Sequence, residues 1–516
     1  MCGCGKADEH APVSRRGFLA ATAVGLAAGS AVLSSVDFAA ADPGPAAVAG
    51  SGGADPVTRT VTGRFEPGVP DFVYLPIQVP RGVNRIEVSY SYDRPAVPPG
   101  TLGNALDIGL FDQRGHRLGA GAGFRGWSGG FRTSFFVSQS EATPGYLPGP
   151  IHPGTWFVVL GPYTVAPAGL AYQVDITLSF GEPGAPFVPH YPPTRVTGRG
   201  RGWYRGDGHL HTVYSDGRRT PAEVAAAARA AGLDFMVSTD HNTSASHGVW
   251  GPLAGDDLLI ITGEEITTRN GHFLAAGLPG GHWIDWRYRA RDGELPRFLR
   301  EIHHAGGLAT AAHPFTPCLA CSWKFGYAGM DAVEVWNGPW TLDDELAVQQ
   351  WNSMLVSGTF LPAVGNSDAH SEPQVVGLPQ TVVLAESLST AAVLDGIRAG
   401  RSYLAESSAV SLALTASGGG HSAGIGERLA VREDVPVTVT ATVAGVSGVA
   451  QVVFVTDEGQ AFATALPGGA GTVSWQTTAA VSAYVRAEVR HPGTDPTGTV
   501  PGAMAALTNP IFLGRR

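Results

Sequence analysis

Charged residues are scarce in this sequence. Lys and Arg number 34 and Asp and Glu number 44 among 516 residues, so the formal net charge is −10. Proteins that bind nucleic acid carry a basic patch or stripe that neutralises phosphate groups. The composition therefore argues against nucleic acid as a partner, whereas small anionic substrates remain compatible with it.

The N-terminus lacks the long apolar run of a membrane anchor. A transmembrane helix needs about 20 consecutive apolar residues, but the stretch after Phe18 is short, rich in Ala, Gly and Ser, and interrupted by Asp37. Residues 14–20 read S-R-R-G-F-L-A, a twin-arginine pattern, and residues 39–41 offer an A-x-A cleavage site. We interpret 1–41 as the twin-arginine signal peptide of a secreted, periplasmic or cell-surface protein, with no stable membrane span after cleavage.

Cysteine is also rare. Of the four cysteines, Cys2 and Cys4 lie in the signal peptide, so only Cys318 and Cys321 remain after cleavage. A zinc site would need two further ligands, and an exported protein meets an oxidising environment. The C-x-x-C pair therefore favours a local disulfide over a zinc site.

Glycine (70 residues) and proline (38) are abundant, which indicates turn-rich β structure because 44% of the residues are hydrophobic. Short β-like runs broken by Gly and Pro predict a β-sandwich over 58–180, and the five prolines of 181–200 indicate a linker. Strands alternate with helices over 201–408, which predicts a parallel sheet or barrel. Residues 409–516 again predict a β-sandwich.

His, Asp and Glu recur at the ends of the predicted strands of 201–408. Because the C-terminal ends of barrel strands meet at one mouth, residues far apart in sequence can form one site there. In H-x-H and D-x-H both side chains lie on the same strand face, since the side-chain period is two. The motifs are His209-Leu210-His211, Ser215-Asp216-Gly217, Asp240-His241-Asn242, Gly263-Glu264-Glu265, Gly271-His272, Ala312-His313-Pro314 and Asp368-Ala369-His370.

The motif series HLHTVYSDG, TDHN, GEE, GH, AHP and NSDAH resembles that of the PHP (polymerase and histidinol phosphatase) superfamily. The phrases GHFLAAGL, EVWNG and TNPIFL further resemble its CehA/McbA branch, which includes carbaryl hydrolase. The resemblance covers about 203–408 and implies a distorted (β/α)7 barrel, flanked here by the two β-sandwiches.

The resemblance also implies a set of metal ligands. His209, His211, Glu265 and Asp368 would hold one ion, which Glu265 would bridge to a second ion held by His272 and His313. Asp216, His241 and His370 would hold a third. Glu264 could replace Glu265 as the bridging carboxylate.

Such a ligand set suits two or three ions of Zn²⁺, Mn²⁺ or Fe²⁺ better than Ca²⁺ or Mg²⁺. With three carboxylate ligands the loaded site would keep a net positive charge, which favours anionic substrates. Bound water would lose a proton near neutral pH, so a metal-bound hydroxide would serve as nucleophile without a separate base.

Four further residues are candidates for supporting roles. Asp240 could orient the neighbouring imidazole or cap a helix. Tyr214 and Asn337 could contact the substrate. Lys324, the only lysine after the signal peptide, could meet a phosphate group or simply be solvated in its loop.

Three functions fit these observations. The first is a phosphomonoesterase or phosphodiesterase, and the second is a carboxyl-ester or carbamate-ester hydrolase. The third, a surface binding protein with structural metals, fits less well because structural sites are usually closed four-ligand cages. The sandwiches could contact cell wall or glycan, or could act only in packing.

We predict that the mature protein begins at or near Asp42 and that its export depends on Arg15 and Arg16. Sequencing the N-terminus of the exported protein checks the cleavage, and the Arg15→Lys/Arg16→Lys variant checks the route. An intact Met1 in the exported protein, or undiminished export of the double variant, would contradict the respective part of this prediction.

Overall fold

The computed structural model describes residues 55–493 and 501–515. The predicted signal peptide lies outside these residues. Within them the chain is mostly β structure, in several sheets, with four α-helices. None of these helices is both long and apolar enough to cross a membrane.

Two four-stranded antiparallel sheets form the N-terminal sandwich. One has the order β1-β8-β3-β6 and the other β2-β7-β4-β5. Alternating residues such as Ile86, Val88, Val158 and Leu160 fill the space between them, as the pleat of a strand requires. The strands are β1 (Val57–Phe65), β2 (Val73–Val79), β3 (Val83–Tyr92), β4 (Ala105–Phe111), β5 (Phe124–Gly129), β6 (Ser134–Ser138), β7 (Gly154–Thr164) and β8 (Leu170–Phe180).

The middle of the chain contains nine strands and all four helices. They are β9 (Gly202–Asp207), α1 (Pro221–Ala230), β10 (Phe235–Ser238), β11 (Leu259–Thr268), β12 (Gly271–Ala276), α2 (Leu295–His304), β13 (Leu308–Ala311), β14 (Ala332–Asn337), α3 (Leu342–Val356), β15 (Ala363–Asn366), β16 (Gln380–Ala385), α4 (Thr390–Arg398) and β17 (Ser402–Ala405). We refer to this part as the catalytic segment, after the activity that the family resemblance implies.

The strand order differs from a regular (β/α)7 barrel. Strands β9, β10 and β11 are parallel, β12 is antiparallel to both of its neighbours, and β13, β14 and β15 are again parallel. Only three α-helices lie between β9 and β15 in the described residues, because two short 3₁₀ turns lie between β10 and β11, a tight turn joins β11 to β12, and a loop joins β13 to β14. Seven complete βα units are therefore not present in the described residues.

Local sequence explains where the first helix begins. The Thr220 side chain accepts a hydrogen bond from the Glu223 backbone nitrogen, and the Glu223 carboxylate accepts one from the Thr220 nitrogen. Pro221 occupies the first turn, where its missing N–H costs no hydrogen bond. Both hydrogen bonds of a capping box are therefore present at the start of α1.

Hydrogen bonds between the segments after β9 and β15 bring the two ends of the curved sheet together. The His211 nitrogen donates to the Ala369 oxygen over 3.3 Å, and the Asp368 nitrogen donates to the His209 oxygen over 2.9 Å. The buried Asp207 carboxylate accepts hydrogen bonds from the backbone of Ser367. The H-x-H and D-x-H motifs are therefore side by side.

The C-terminal strands form a second sandwich. Its strands are β18 (Ser411–Gly418), β19 (His421–Gly424), β20 (Arg428–Leu429), β21 (Pro436–Ala444), β22 (Ala450–Thr456), β23 (Gly459–Leu466), β24 (Gly471–Thr478), β25 (Tyr484–Arg490), β26 (Met504–Thr508) and β27 (Ile511–Leu513). One sheet has the order β19-β18-β21-β24. The other is continuous with the catalytic segment, because β26 pairs with β17.

The N-terminal sandwich shares a hydrophobic core with the catalytic segment. Phe111, Phe124 and Trp127 of the sandwich pack with Trp283 and Trp286 in a single buried cluster. The rings of Phe124 and Trp283 are stacked with centroids 4.1 Å apart. The sandwich is thus fixed against the catalytic segment by apolar burial, the strongest general source of such cohesion.

We expect Asn509→Ala to lower the free energy of unfolding by roughly 2–4 kcal/mol, because it leaves several buried backbone groups without partners. The buried Asn509 side chain accepts from the Ala363 nitrogen at 2.8 Å and donates to the Ala363 and Ser402 oxygens at 3.0 and 3.1 Å. Urea unfolding measures the change. Asn84→Ala, which removes one hydrogen bond at the surface, is the control, and equal effects of the two variants would contradict the prediction.

Candidate metal centre

All nine predicted metal ligands lie at one end of the catalytic segment, and all except Asp216 are buried. They follow or end the strands β9, β10, β11, β13 and β15, or belong to β12. The strand-end argument therefore placed them together correctly. Three sets of their donor atoms lie within 4.8 Å of one another: His209, His211, Glu265 and Asp368; His211, Asp216, His241 and His370; and His241, Glu265 and His272.

The H-x-H motif faces two carboxylates. His209 Nε2 lies 3.2 Å from Glu265 Oε2 and 3.2 Å from Asp368 Oδ1. His211 Nε2 lies 3.3 and 3.0 Å from the same two oxygens. Two imidazoles and two carboxylates directed at one point form a plausible four-ligand cage for a transition-metal ion.

Asp216 is the centre of the second set. Its Oδ1 atom lies 3.2 Å from His370 Nε2 and 3.5 Å from His241 Nε2. The ring of His211 stacks on that of His370 with centroids 4.0 Å apart, so His211 lies between the first and second sets.

Glu265 connects the sets. Its Oε2 atom lies 2.9 Å from His241 Nδ1, and its Oε1 atom lies 2.9 Å from His272 Nδ1 and 3.2 Å from His313 Nε2. His241 therefore contacts Glu265 as well as Asp216, which the family resemblance did not imply. His313 contacts Glu265 but lies outside the three compact sets.

Unsatisfied atoms support the assignment of these residues as ligands. Each of the nine has one buried nitrogen or oxygen that lacks a hydrogen-bond partner, and buried polar groups are normally paired. In seven of the nine residues the unsatisfied atom faces another ligand, whereas His272 and His313 contact Glu265 through their other ring nitrogen. Divalent ions would satisfy these seven atoms, so the residues fit the metal ions that the sequence implies.

The pKa values of the carboxylates of Glu265 and Asp216 also suit metal binding. Burial alone would raise the pKa of Glu265, but His241, His209 and His272 hold it well below its usual value. Burial opposes protonation of His370, yet Asp216 raises the pKa of its imidazole to about 10. Glu265 and Asp216, whose pKa is also lowered by the neighbouring imidazoles, are therefore ionised at neutral pH, as carboxylate ligands must be. The His370 imidazole, in contrast, must release a proton when it binds an ion.

Backbone conformation marks the same site. His313 and Asp368 have φ values of 25° and 49°, and Asn242, which follows His241, has φ of 53°. Residues other than glycine seldom adopt this left-handed region, and such strain concentrates at functional sites.

The alternative bridging residue, Glu264, lies on the other face of β11. Its Oε2 atom accepts a hydrogen bond from the Ile284 nitrogen at 2.9 Å, and burial raises the pKa of its carboxyl well above the usual value. Adjacent strand residues point in opposite directions. Glu265 is therefore the carboxylate in the cluster.

Glu334 in β14 is a site residue that the sequence analysis did not single out. Its carboxylate lies 3.2 Å from His209 Nδ1 and accepts hydrogen bonds from the His313 nitrogen at 2.9 Å and from Asn366 Nδ2 at 2.8 Å. A carboxylate on the distal nitrogen of a ligand imidazole fixes its tautomer and orientation. The EVWNG phrase, which was noted only for its family resemblance, contained this residue.

Asp240 orients a different part of the site from the one expected. Its carboxylate accepts hydrogen bonds from the Thr212 nitrogen at 2.8 Å and from the Ser215 hydroxyl at 2.9 Å, and Ser215 Oγ lies 3.2 Å from His211 Nδ1. It thus supports His211 through Ser215. It neither contacts the neighbouring imidazole of His241 nor caps a helix, because its side chain faces the loop after the H-x-H motif.

The three expected substrate contacts have different positions. Asn337 lines the cavity described below, but its Nδ2 atom donates to Glu334 Oε2 at 3.0 Å. Tyr214 is partly buried and does not line that cavity. Lys324 does not line the cavity either. Its ammonium donates hydrogen bonds to the Ser322 backbone oxygen at 2.9 Å and to the Ser322 hydroxyl at 2.7 Å.

The predicted disulfide between Cys318 and Cys321 is present. It closes a short loop after His313, and the Leu319 oxygen within that loop accepts a hydrogen bond from the Tyr163 hydroxyl at 2.9 Å. The loop therefore contacts the N-terminal sandwich.

A cavity of about 580 Å³ opens onto the cluster. Its lining includes the ligands Asp216, His241, Asp368 and His370, with Arg218 beside them. The remaining lining comes partly from the catalytic segment and partly from the N-terminal sandwich. This volume is typical of a site for a small molecule.

Several solved structures are similar to parts of the chain. A two-domain protein from Bacteroides vulgatus that contains a predicted PHP-like metal-dependent phosphoesterase is 18% identical over 63% of this chain and 100% of its own, with a TM-score of 0.34. An amidohydrolase from Chromobacterium violaceum is 20% identical over 33% of this chain and 89% of its own, with a TM-score of 0.25. An inferred metal-dependent phosphoesterase from Bifidobacterium adolescentis is 20% identical over 40% of this chain and 96% of its own, with a TM-score of 0.24.

No protein-family model and no curated protein matches the chain. Two of the three structures carry names that agree with the PHP resemblance, and none names the CehA/McbA branch. Their TM-scores are low, so the function is inferred from the geometry of the site.

We predict that Glu334→Gln weakens metal binding about 10–100-fold, the usual cost of losing a carboxylate that orients a ligand imidazole. Competition with a chelator measures the metal affinity. Glu386→Gln, at an exposed salt bridge with Arg201, is the control. Unchanged affinity in the Glu334 variant would contradict the role assigned to this carboxylate.

Proposed function

We propose that the protein is a metal-dependent hydrolase of esters, that phosphomonoesters or phosphodiesters are its preferred substrates, and that it acts after export from the cytoplasm. The observation that supports hydrolysis most directly is the cluster itself. Nine His, Asp and Glu residues each have one buried nitrogen or oxygen without a hydrogen-bond partner, and four of them line the cavity. A closed structural site would not face such a cavity.

The residues that would hold the ions are those of the three compact sets, with His313 beside Glu265. Two or three divalent ions bound there would supply a water of lowered pKa and would neutralise charge that develops on the ester oxygens. Zn²⁺, Mn²⁺ and Fe²⁺ suit the mixed imidazole and carboxylate donors.

Residues of the chain itself prepare this site. Glu334 orients His209, and Ser215, itself held by Asp240, orients His211. Preorganised ligands need little rearrangement as the reaction proceeds, which is the main contribution of the protein in such a centre.

The charge of the loaded site depends on the number of ions. With Glu334 counted beside the three carboxylate ligands, two divalent ions would be balanced and three would leave two positive charges. Arg218 adds a further positive charge. It is exposed, lines the cavity, and forms no salt bridge with another described residue. An arginine in this position favours a phosphate group, whose oxygens match the planar donors of a guanidinium.

The aromatic part of the lining favours a second candidate, a carboxyl-ester or carbamate-ester hydrolase. Trp127, Trp286 and Phe72 contribute apolar surface to the cavity, and a neutral aryl ester would bury its ring there. Such an ester would gain nothing from Arg218. We therefore propose phosphoesters first.

The decisive experiment is a panel of aryl phosphomonoesters, phosphodiesters, carboxyl esters and carbamates, assayed with the metal content measured on the same sample. We expect the phosphoesters to be hydrolysed fastest. Cleavage of carboxyl esters or carbamates with every phosphoester untouched would reverse the substrate assignment, and no turnover of any ester by metal-replete protein would contradict hydrolysis.

We further predict that His209→Ala, Asp368→Ala and His370→Ala each reduce turnover to background and lower the bound metal, because each removes a ligand of the cluster. His304→Ala, on the exposed end of α2, serves as the control. Full turnover by a metal-depleted protein that combines the three substitutions would overturn the assigned role of the metals.

A further inference from the structure

The N-terminal sandwich supplies part of the cavity that opens onto the metal centre. Its lining residues include Asp107, Trp127, Phe131, Gly161 and Tyr163. They come from β4, β5 and β7 and from the loop after β5. These strands belong to one sheet of the sandwich.

One face of this sheet is directed at the catalytic segment. In β4, Leu106, Ile108 and Leu110 fill the interior of the sandwich, whereas Phe111 belongs to the core that is shared with the catalytic segment. By alternation Asp107 and Gly109 lie on the outer face. Asp107 is paired with Gly161 of β7, and Gly109 is paired with Trp127 of β5.

Polar contacts fix this face in place beside the metal ligands. The Thr243 hydroxyl donates to the Gly145 oxygen at 3.0 Å, and Arg132 donates to the Val213 oxygen in the loop after the H-x-H motif. Arg269 donates to the Pro162 oxygen at 2.7 Å. The sandwich thus forms one wall of the cavity, and its side chains would contact a ligand bound in the cavity.

Gly161 allows Trp127 and Asp107 to pack closely against β7 in this wall. A Cβ atom built on it would lie 2.9 Å from Trp127 Cη2 and 3.2 Å from Asp107 Cβ. Its backbone is not in the left-handed region, so the glycine is needed here for space. Tyr163, two residues along the same strand, lies on the same face. We call Asp107, Trp127, Gly161 and Tyr163 the sandwich recess.

The two acidic residues of the sandwich that line the cavity differ in their partners. Asp71 is held by Arg289, with two contacts of 2.6 Å, and also lies 3.6 Å from Arg269. Asp107 accepts no hydrogen bond and forms no salt bridge within the described residues. Burial raises the pKa of its carboxyl to about 6, and the charge of Arg269 opposes this rise. Asp107 is therefore ionised at neutral pH and available to a ligand.

A carboxylate beside aromatic rings is the chemistry that recognises an ammonium group. The carboxylate supplies charge, and the ring faces attract a cation through their quadrupoles. Tyr163 already binds a cation in this way, since the guanidinium of Arg269 lies 4.2 Å from its ring centroid. Trp127 and Asp107 both lie next to Gly161.

We propose that the sandwich recess binds a positively charged ammonium group in the organic part of the substrate, while the ester group lies at the metal centre. The proposal rests on the proposed ester hydrolysis. In this proposal the N-terminal sandwich contributes to substrate specificity, and the Asp107 carboxylate binds the positively charged group. The substrate would thus carry its negative charge near Arg218 and its positive charge near Asp107.

A matched pair of esters tests this directly. 4-Nitrophenyl phosphocholine carries a trimethylammonium group, and 4-nitrophenyl 3,3-dimethylbutyl phosphate replaces it by a neutral group of the same shape. We expect the metal-replete enzyme to prefer the ammonium ester in kcat/KM by about tenfold or more, the ratio that 1.4 kcal/mol of binding provides. The difference should appear mainly in KM.

Asp107→Asn should reduce this preference about tenfold, because it removes the charge and keeps the shape. Asp175→Asn, in β8 on the other sheet of the same sandwich, is the matched control and should keep the preference. Gly161→Ala would displace Trp127 and Asp107, because its added Cβ would lie 2.9 and 3.2 Å from them, and should also reduce the preference. Equal kcat/KM for the two esters in the natural protein, or an unchanged preference in Asp107→Asn, would overturn the proposal while ester hydrolysis stands.

A binding measurement distinguishes failure of the ammonium-site proposal from failure of the proposed ester hydrolysis. Calorimetric titration with choline, and with 3,3-dimethylbutan-1-ol as its neutral analogue, needs no turnover. Choline that binds about tenfold more weakly to Asp107→Asn supports the ammonium site even if no ester is hydrolysed. No preference of the natural protein for choline over the neutral alcohol would contradict it.

Discussion

The junction between the segments that follow β9 and β15 is the constraint on which the site depends. Two backbone hydrogen bonds, from the His211 nitrogen to the Ala369 oxygen and from the Asp368 nitrogen to the His209 oxygen, hold the H-x-H and D-x-H motifs against each other. These motifs are about 160 residues apart in the chain. Without the junction, Asp368 and His370 would not be held beside the pair at 209 and 211, which β9 and β10 already place next to Glu265.

The position of the metal ligands could be predicted because strand ends carry a strong local signal. The convergence of strand ends accounts for their placement, whereas Asp368 and His370 lie beyond the end of β15 and are not aligned by strand alternation. Glu334 was missed for a physical reason. All six residues of β14 are buried, so no alternation distinguishes a carboxylate turned to the site from one turned away.

Long-range docking was less predictable. The sequence indicated a β-sandwich at the N-terminus but gave no sign that Phe111 and Trp127 of this sandwich pack against the catalytic segment. Likewise, Asp240 was expected to act on its sequence neighbour but acts through Ser215 on His211. In both cases the partner is chosen by tertiary contacts that sequence spacing does not encode. The exported location stays a prediction, because it depends on residues outside those that the structure describes.

The continuity of the sheet from β17 into β26 has a practical consequence for any shortened form of the protein. A chain that ends after the catalytic segment would expose the backbone N–H and C=O groups of Tyr403 and Ala405, which now pair with Thr508 and Ala506. An uncovered hydrophobic strand edge is a template for intermolecular pairing. The last strands therefore protect the catalytic segment from aggregation, and they must fold together with it.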